Sequence, residues 1–297
     1  MESKSAVFKT KTGYNLEYSV VGQGEPVLIM HGGHSNCYEQ FGMAEFIERG
    51  FSVITPSRPG YGRTSKELGI SMETACDAYL ELLEELHLPE VHVVAISAGG
   101  PSGIQFAARH PERVRSLILQ SAVADIFLTP GDKLYRTART LFRPSYEKYL
   151  WALMRFMNNL FPNLLFKSML ASFSKLPSKE VLPQISDDDR KQFMKMINLQ
   201  RSGHGFYIDL EIAGQDLTSV LTDIQCPALI MHSIHDASVP MEHARHANRH
   251  IPNSRLCELE SWGHLIWLGK DASDMYHKLF VFLESQLQYS SPKDERS

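Results

Sequence analysis

Three observations predict an α/β fold: a mostly parallel, twisted sheet with helices on both faces and a helical lid insertion. Short β-rich runs alternate with helical patterns over residues 1–124, the alternation stops over 125–221, and it resumes over 222–297. Repeated strand–helix–strand units imply right-handed crossovers and a parallel sheet covered on both faces. The three stretches are therefore read as a first core part, a helical lid (cap) and a second core part. With 297 residues, 43% of them hydrophobic, the chain has ample material for one sizeable core.

Residues 15–21 read as a strand with Leu16, Tyr18 and Val20 on one face, and Gly22 and Gly24 mark the turn that follows. The first hairpin-like pieces add an antiparallel edge. The apolar run 26–30 suits a strand buried on both faces. Residues 37–49 are expected to be helical, ending at Gly50, and 51–55 form the next strand. Ser71 can cap a helix over 71–87, whose stripe is built by Met72, Ala75, Leu82, Leu83 and Leu86. Strand 91–95, helix 99–110 and strand 114–120 follow. No strand is evident over 124–222, where 145–160 and 188–201 read as helices. Strand 226–232, helix 241–250, a strand near 255–259 and a last helix over 265–286 complete the core, and 290–297 is a polar tail. An insertion of about a hundred residues between two strands must lie on the sheet's surface. Its expected place is over the strand ends where open α/β folds bind ligands.

Composition excludes several classes. A net charge of −4 without a basic run argues against a nucleic-acid binder. No segment approaches the ~18 apolar residues of a membrane span, and residues 1–10 lack the apolar region of a secretory signal. Cys37, Cys76, Cys226 and Cys257 are far apart, as expected of reduced thiols in a cytoplasmic protein. His243, His246 and His250 share helical spacing, but no cysteine or carboxylate cluster accompanies them. They are read as a solvated helix side, and neither a metal nor a cofactor is expected.

The chemistry centres on Ala95-Ile96-Ser97-Ala98-Gly99. A strand runs into Ser97 and a helix starts directly after it, so the sharp turn holds the hydroxyl clear of the backbone. The small neighbours Ala95 and Gly99 let strand and helix pass closely. The Ala98 N–H opens the helix and is the first candidate donor to an oxyanion. This motif resembles the G-x-S-x-G elbow of the α/β-hydrolase superfamily of lidded serine hydrolases, with alanine replacing the first glycine. The resemblance covers about 13–124 and 222–287 and leaves the lid unmatched.

The resemblance implies a Ser97–His264–Asp236 triad. His31-Gly32-Gly33-His34 is similar to the family's oxyanion loop, with Gly33 at the donor position. His31 is read as structural and His34 as solvated, the alternative being that His34 reaches the pocket mouth. Asp236, in the loop ending Val239-Pro240, matches the acid; the alternative is a turn-capping aspartate. His264, in Ser261-Trp262-Gly263-His264, matches the base; the alternative is a surface histidine. The order Ser, Asp, His is that of the fold. Thr55-Pro56-Ser57-Arg58-Pro59-Gly60-Tyr61-Gly62 resembles a further family loop with Ser57 in place of Asp, and a structural role is expected there. Cys37 is a weaker candidate nucleophile.

A serine nucleophile implies acyl transfer, whereas an aspartate would be needed to open epoxides or displace halide. The expected substrate is a small or medium apolar carboxylic ester. Cleavage of a carbon–carbon bond, lactone or amide on the same triad, or a non-catalytic ligand-binding role, are the alternatives. The lid's Phe127, Trp151, Met154, Phe156, Met157, Phe161, Phe166, Phe173, Phe193, Met194, Met196, Phe206 and Tyr207 are expected to leave apolar surface facing the sheet, some of them as lid core and the rest lining an apolar pocket. Arg155, Arg201 and His204 are candidates for binding an acidic group. The oligomeric state is not legible.

Overall fold

The computed structural model describes residues 4–40 and 42–288; the tail expected at 290–297 lies outside them. The strands are β1 (Ser5–Lys9), β2 (Asn15–Gly22), β3 (Glu25–Met30), β4 (Phe51–Pro56), β5 (Val91–Ile96), β6 (Val114–Gln120), β7 (Ala228–Ser233) and β8 (Ser254–Leu259). They form one sheet in the order β1-β2-β4-β3-β5-β6-β7-β8. The pairs β1–β2 and β2–β4 are antiparallel and the others parallel, so the predicted antiparallel edge is present. β1 is only five residues long, with Ala6, Val7 and Phe8 between Ser5 and Lys9, and was not separately legible from β2.

Alternate residues of the central strands enter opposite cores, the period of two that a strand imposes. Leu28 and Met30, Val93 and Ala95, and Ala228 and Ile230 pack on one face. Val27 and Ile29, Val94 and Ile96, and Leu229 and Met231 pack on the other. In chain order the helices are α1 (Met43–Glu48), α2 (Met72–Glu85), α3 (Gly100–Arg109), α4 (Lys133–Leu141), α5 (Glu147–Leu160), α6 (Pro162–Phe173), α7 (Ser178–Val181), α8 (Asp187–Leu199), α9 (Gly205–Ile212), α10 (Thr218–Thr222), α11 (Met241–His250) and α12 (Ala272–Gln288). The first face is covered by α2, α3, α10 and α11. The second is covered by α1 and α12, joined by Phe166, Phe193 and Met196 from the inserted helices.

The expected cap of α2 is present: Ser71 Oγ accepts from Thr74 N at 3.2 Å. Two expected helices are shorter than their apolar patterns. Over 37–40 the chain is a loop, because Cys37 N donates to Ser57 Oγ and Tyr38 N to Asn36 Oδ1, and Gly42, just before α1, is left-handed at φ +69°. Over 265–271 the apolar residues Leu265, Ile266, Trp267 and Leu268 are buried as a loop rather than as helix. Trp262 Nε1 donates to Leu268 O, and Gly269 turns the chain at φ +93°. Among the described residues no helix is long and apolar enough to cross a membrane.

Candidate active site

Ser97 stands at the C-terminal end of β5, in the middle of the sheet, and is followed by a short 3-10 turn and α3. Its φ is +50°, a left-handed conformation that costs a non-glycine residue about 1–3 kcal/mol. Close packing holds the turn. Val123 N donates to Ser97 O at 2.9 Å. A Cβ at Gly99 would strike the Met30 and His31 carbonyls, so the end of β3 passes against the elbow. Alanine fits at the elbow's first small position because Gly103 lies opposite; a Cβ there would sit 2.5 Å from the Ala95 methyl.

Three side chains from separate loops meet in a row. Ser97 Oγ lies 3.0 Å from His264 Nε2, and His264 Nδ1 lies 2.7 Å from Asp236 Oδ2. Asp236 Oδ1 accepts from Ser238 N at 2.7 Å and Val239 N at 2.9 Å. Burial pushes the Asp236 carboxyl upward. The facing His264 ring and hydrogen bonds from His232 and His264 outweigh it and hold the carboxyl well below the usual range. The ionised carboxylate accepts the Nδ1 proton of His264, leaving the Nε2 lone pair toward the serine. The His264 backbone is clamped as well: its N–H donates to Phe173 O at 2.8 Å and its O accepts from Ser121 Oγ at 2.9 Å.

Gly33 runs beside the residue after Ser97. A Cβ on Gly33 would lie 3.6 Å from the Ala98 methyl. Among the described residues, neither the Gly33 nor the Ala98 N–H donates to a loop backbone or side-chain acceptor. Both residues, with Ser97 and His264, line a cavity of about 520 Å³. From the inserted helices and their connections come Phe127, Trp151, Met154, Phe173, Met196 and Phe206.

The remaining lid expectations divide. Phe166 and Phe193 are buried in the core of the second face, and Phe156 and Phe161 face outward. Arg155 donates to Gln200 O and Arg201 pairs with Glu147. Neither these arginines nor His204 lines the cavity. His34 is packed into the cavity wall rather than solvated. His243 is buried, its Nδ1 accepting from Ala124 N and Asp125 N, so α11 does not present three solvated histidines. Cys37 is buried away from the cavity, and burial pushes its thiol up to about 11. Among the described residues no cluster of His, Cys, Asp and Glu is placed to hold a metal.

Three supporting features were not legible. His232 Nε2 donates to Val239 O at 2.9 Å and lies 3.2 Å from Asp236 Oδ2, which braces the acid loop. A buried ion pair joins Arg58, in the loop read as structural, to Asp209 of α9. Arg58 Nε also donates to His31 O at 2.8 Å, and Tyr61 Oη to Asp209 Oδ2 at 2.5 Å, tying α9 to the Gly32–Gly33 loop. The lone aspartate between Ile208 and Leu210 was the available signal. The third is the inserted segment 172–175, which touches both loops: besides Phe173 O, Ser174 Oγ donates to Trp262 O and Ser238 Oγ to Ser172 O. At the Asp-to-Ser departure, the carboxylate comes from β2 instead. Glu17 accepts from Ser57 Oγ at 3.0 Å and from Arg63 Nε at 2.7 Å.

A serine elbow at the centre of a mostly parallel sheet, with a histidine and an aspartate delivered by later loops, defines the class of an α/β hydrolase. The chain belongs to the alpha/beta hydrolase fold family, whose model matches residues 25–271. It is 53% identical to the uncharacterized hydrolase YcgS of Bacillus subtilis, over 93% of this chain and 97% of that protein. It is 23% identical to a 2-hydroxy-6-oxo-6-phenylhexa-2,4-dienoate hydrolase of Comamonas testosteroni, over 92% of each. An alpha/beta hydrolase fold protein from Nakamurella multipartita superposes with a TM-score of 0.82 at 26% identity, covering 95% of this chain and 99% of that one.

Proposed function

We propose that the protein is a serine hydrolase that cleaves carboxylic esters of small or medium apolar substrates through an acyl-enzyme. The observation that carries this reading is the 3.0 Å approach of Ser97 Oγ to His264 Nε2, with Asp236 behind the ring. His264 takes the hydroxyl proton as Ser97 attacks the carbonyl, and returns it to the leaving alcohol. The second half repeats this with water. The Gly33 and Ala98 N–H groups receive the oxyanion, a contribution of about 3–4 kcal/mol per donor in comparable sites. The inserted helices act as a lid that supplies the apolar walls and limits water around the acyl-enzyme.

The cavity also favours a neutral ester over an anionic substrate. Among the described residues no lysine or arginine lines it; the acidic lining residues are Glu39 and Asp209, the latter paired with Arg58. A substrate carboxylate, such as the dienoate in the name of the Comamonas testosteroni relative, would meet carboxylates and no free cation there. A chain-length panel of p-nitrophenyl esters tests the reading. Hydrolysis is expected to be best for short to medium acyl groups and to fall at least about 10³-fold in Ser97→Ala. Equal rates in the two proteins would reject it.

A further inference from the structure

The Gly33–His34 corner holds a polar group that the proposed ester chemistry does not use. His34 is left-handed at φ +62°, which turns its ring into the cavity wall. The ring stacks on Phe206 at 4.1 Å and packs on Phe142 at 4.3 Å and Trp151 at 5.3 Å. An imidazole inside an aromatic box invites the question of which nitrogen carries the proton.

The hydrogen bonds answer it. His34 Nδ1 lies 2.8 Å from Ser202 Oγ, and Trp151 Nε1 donates to the same oxygen at 2.7 Å. Ser202 is fully buried. An indole N–H is donor only, so Ser202 Oγ already accepts there and its own proton needs an acceptor. Among the described residues the one within reach is His34 Nδ1. A buried hydroxyl left without an acceptor is disfavoured, so Nδ1 accepts and the proton sits on Nε2. Burial, reinforced by Arg58, lowers His34 to about 3, so the ring is neutral at ordinary pH with one N–H. Nε2 makes no hydrogen bond to protein among the described residues, and His34 is one of the residues that line the cavity.

Resting on the acyl-transfer reading, we propose that His34 is a specificity-determining residue that presents an Nε2–H donor to the substrate. The preferred esters then carry a neutral oxygen acceptor, an ether or ketone oxygen, remote from the scissile carbonyl. A site built to hydrogen-bond a substrate atom disfavours the analogue that lacks it, because its own polar group is left unpaired. A neutral acceptor fits better than an anionic one, since His34 supplies no charge and Glu39 and Asp209 are carboxylates.

The test uses p-nitrophenyl alkanoates matched in length to analogues with one methylene replaced by an ether oxygen or a carbonyl, scanned along the chain. In the wild type, kcat/KM is expected to favour the oxygen-bearing ester about tenfold at one chain position, the worth of a single neutral hydrogen bond. In His34→Phe the ratio should fall to near one, and Ser202→Ala, which frees Nδ1 to take the proton, should reduce it. Independently of any substrate, ¹⁵N NMR of the wild type should show His34 protonated at Nε2. An unchanged ratio in His34→Phe, or a proton on Nδ1, overturns the inference while leaving the ester reading intact. A wild type that hydrolyses no ester and takes no fluorophosphonate label overturns the ester reading instead.

Discussion

At Asp236 four groups converge on one carboxylate: the backbone N–H groups of Ser238 and Val239 on Oδ1, and the His264 and His232 rings on Oδ2. Such a group is ionised throughout the working range, so it does not set the acid limb of a pH–rate profile. In the proposed mechanism its role is to fix the His264 tautomer. Asp236→Asn keeps the shape but offers an amide that cannot hold the ring in the same way, and kcat is expected to drop roughly 10³–10⁴-fold. Steady-state kinetics of the variant with its melting temperature distinguish this from misfolding; a loss below tenfold would contradict the assignment. The juxtaposition of Ser97, His264 and Asp236 was legible because each follows a β-rich run in the fold's chain order. The His232 and Phe173 O contacts were not, because a backbone carbonyl and a donor to two acceptors leave no residue pattern.

Elements explain why the elbow accepts a departure from the family motif. Ala95 of β5 faces Gly103 of α3, and the missing side chain at Gly103 leaves room for the alanine methyl. Gly103→Ala is expected to destabilise by about 1–3 kcal/mol through overpacking, and adding Ala95→Gly should recover much of that loss in urea unfolding. Simple additivity of the two changes would show that the pair is not in contact. The Arg58–Asp209 pair joins α9 to the oxyanion-loop candidate. Arg58→Met alone should cost about 3–5 kcal/mol by stranding the buried carboxylate, and Arg58→Met with Asp209→Leu should cost much less. Apolar spacing read well for strands buried on both faces and for α2 and α11. It misled at 37–40 and 265–271, where loops carry apolar residues that suggest a helix while their backbone groups bond elsewhere.

At the scale of the molecule, buried His31, His92 and His243 and half-buried His34 are held neutral. Burial leads in each case, with Arg58 beside His31 and His34 and Arg115 beside His92. His31 lies well below 6.5, His34 at about 3, and His92 and His243 at about 4. Since each folded value lies below the unfolded one, their contribution to stability is complete above about pH 6.5 and is lost as pH falls toward 4 and then 3. Each can take up to about 1.4 kcal/mol per pH unit in that window. Melting temperature should therefore fall steeply between pH 6.5 and 4, with a shallower slope in His34→Phe; a flat profile would contradict the neutral assignment. The architecture was legible at this scale because alternation and its interruption are long-range signals. How the inserted helices attach was not, because the attachment runs through a buried ion pair and backbone carbonyls.

Acyl transfer in this protein requires Ser97 to be the group that attacks. Treating the wild type with a fluorophosphonate and mapping the adduct by peptide mass spectrometry tests it most directly. One covalent phosphonyl group is expected, on Ser97, absent in Ser97→Ala and formed far more slowly in His264→Ala. An adduct on another residue, or labelling of Ser97 at the same rate without His264, would contradict it.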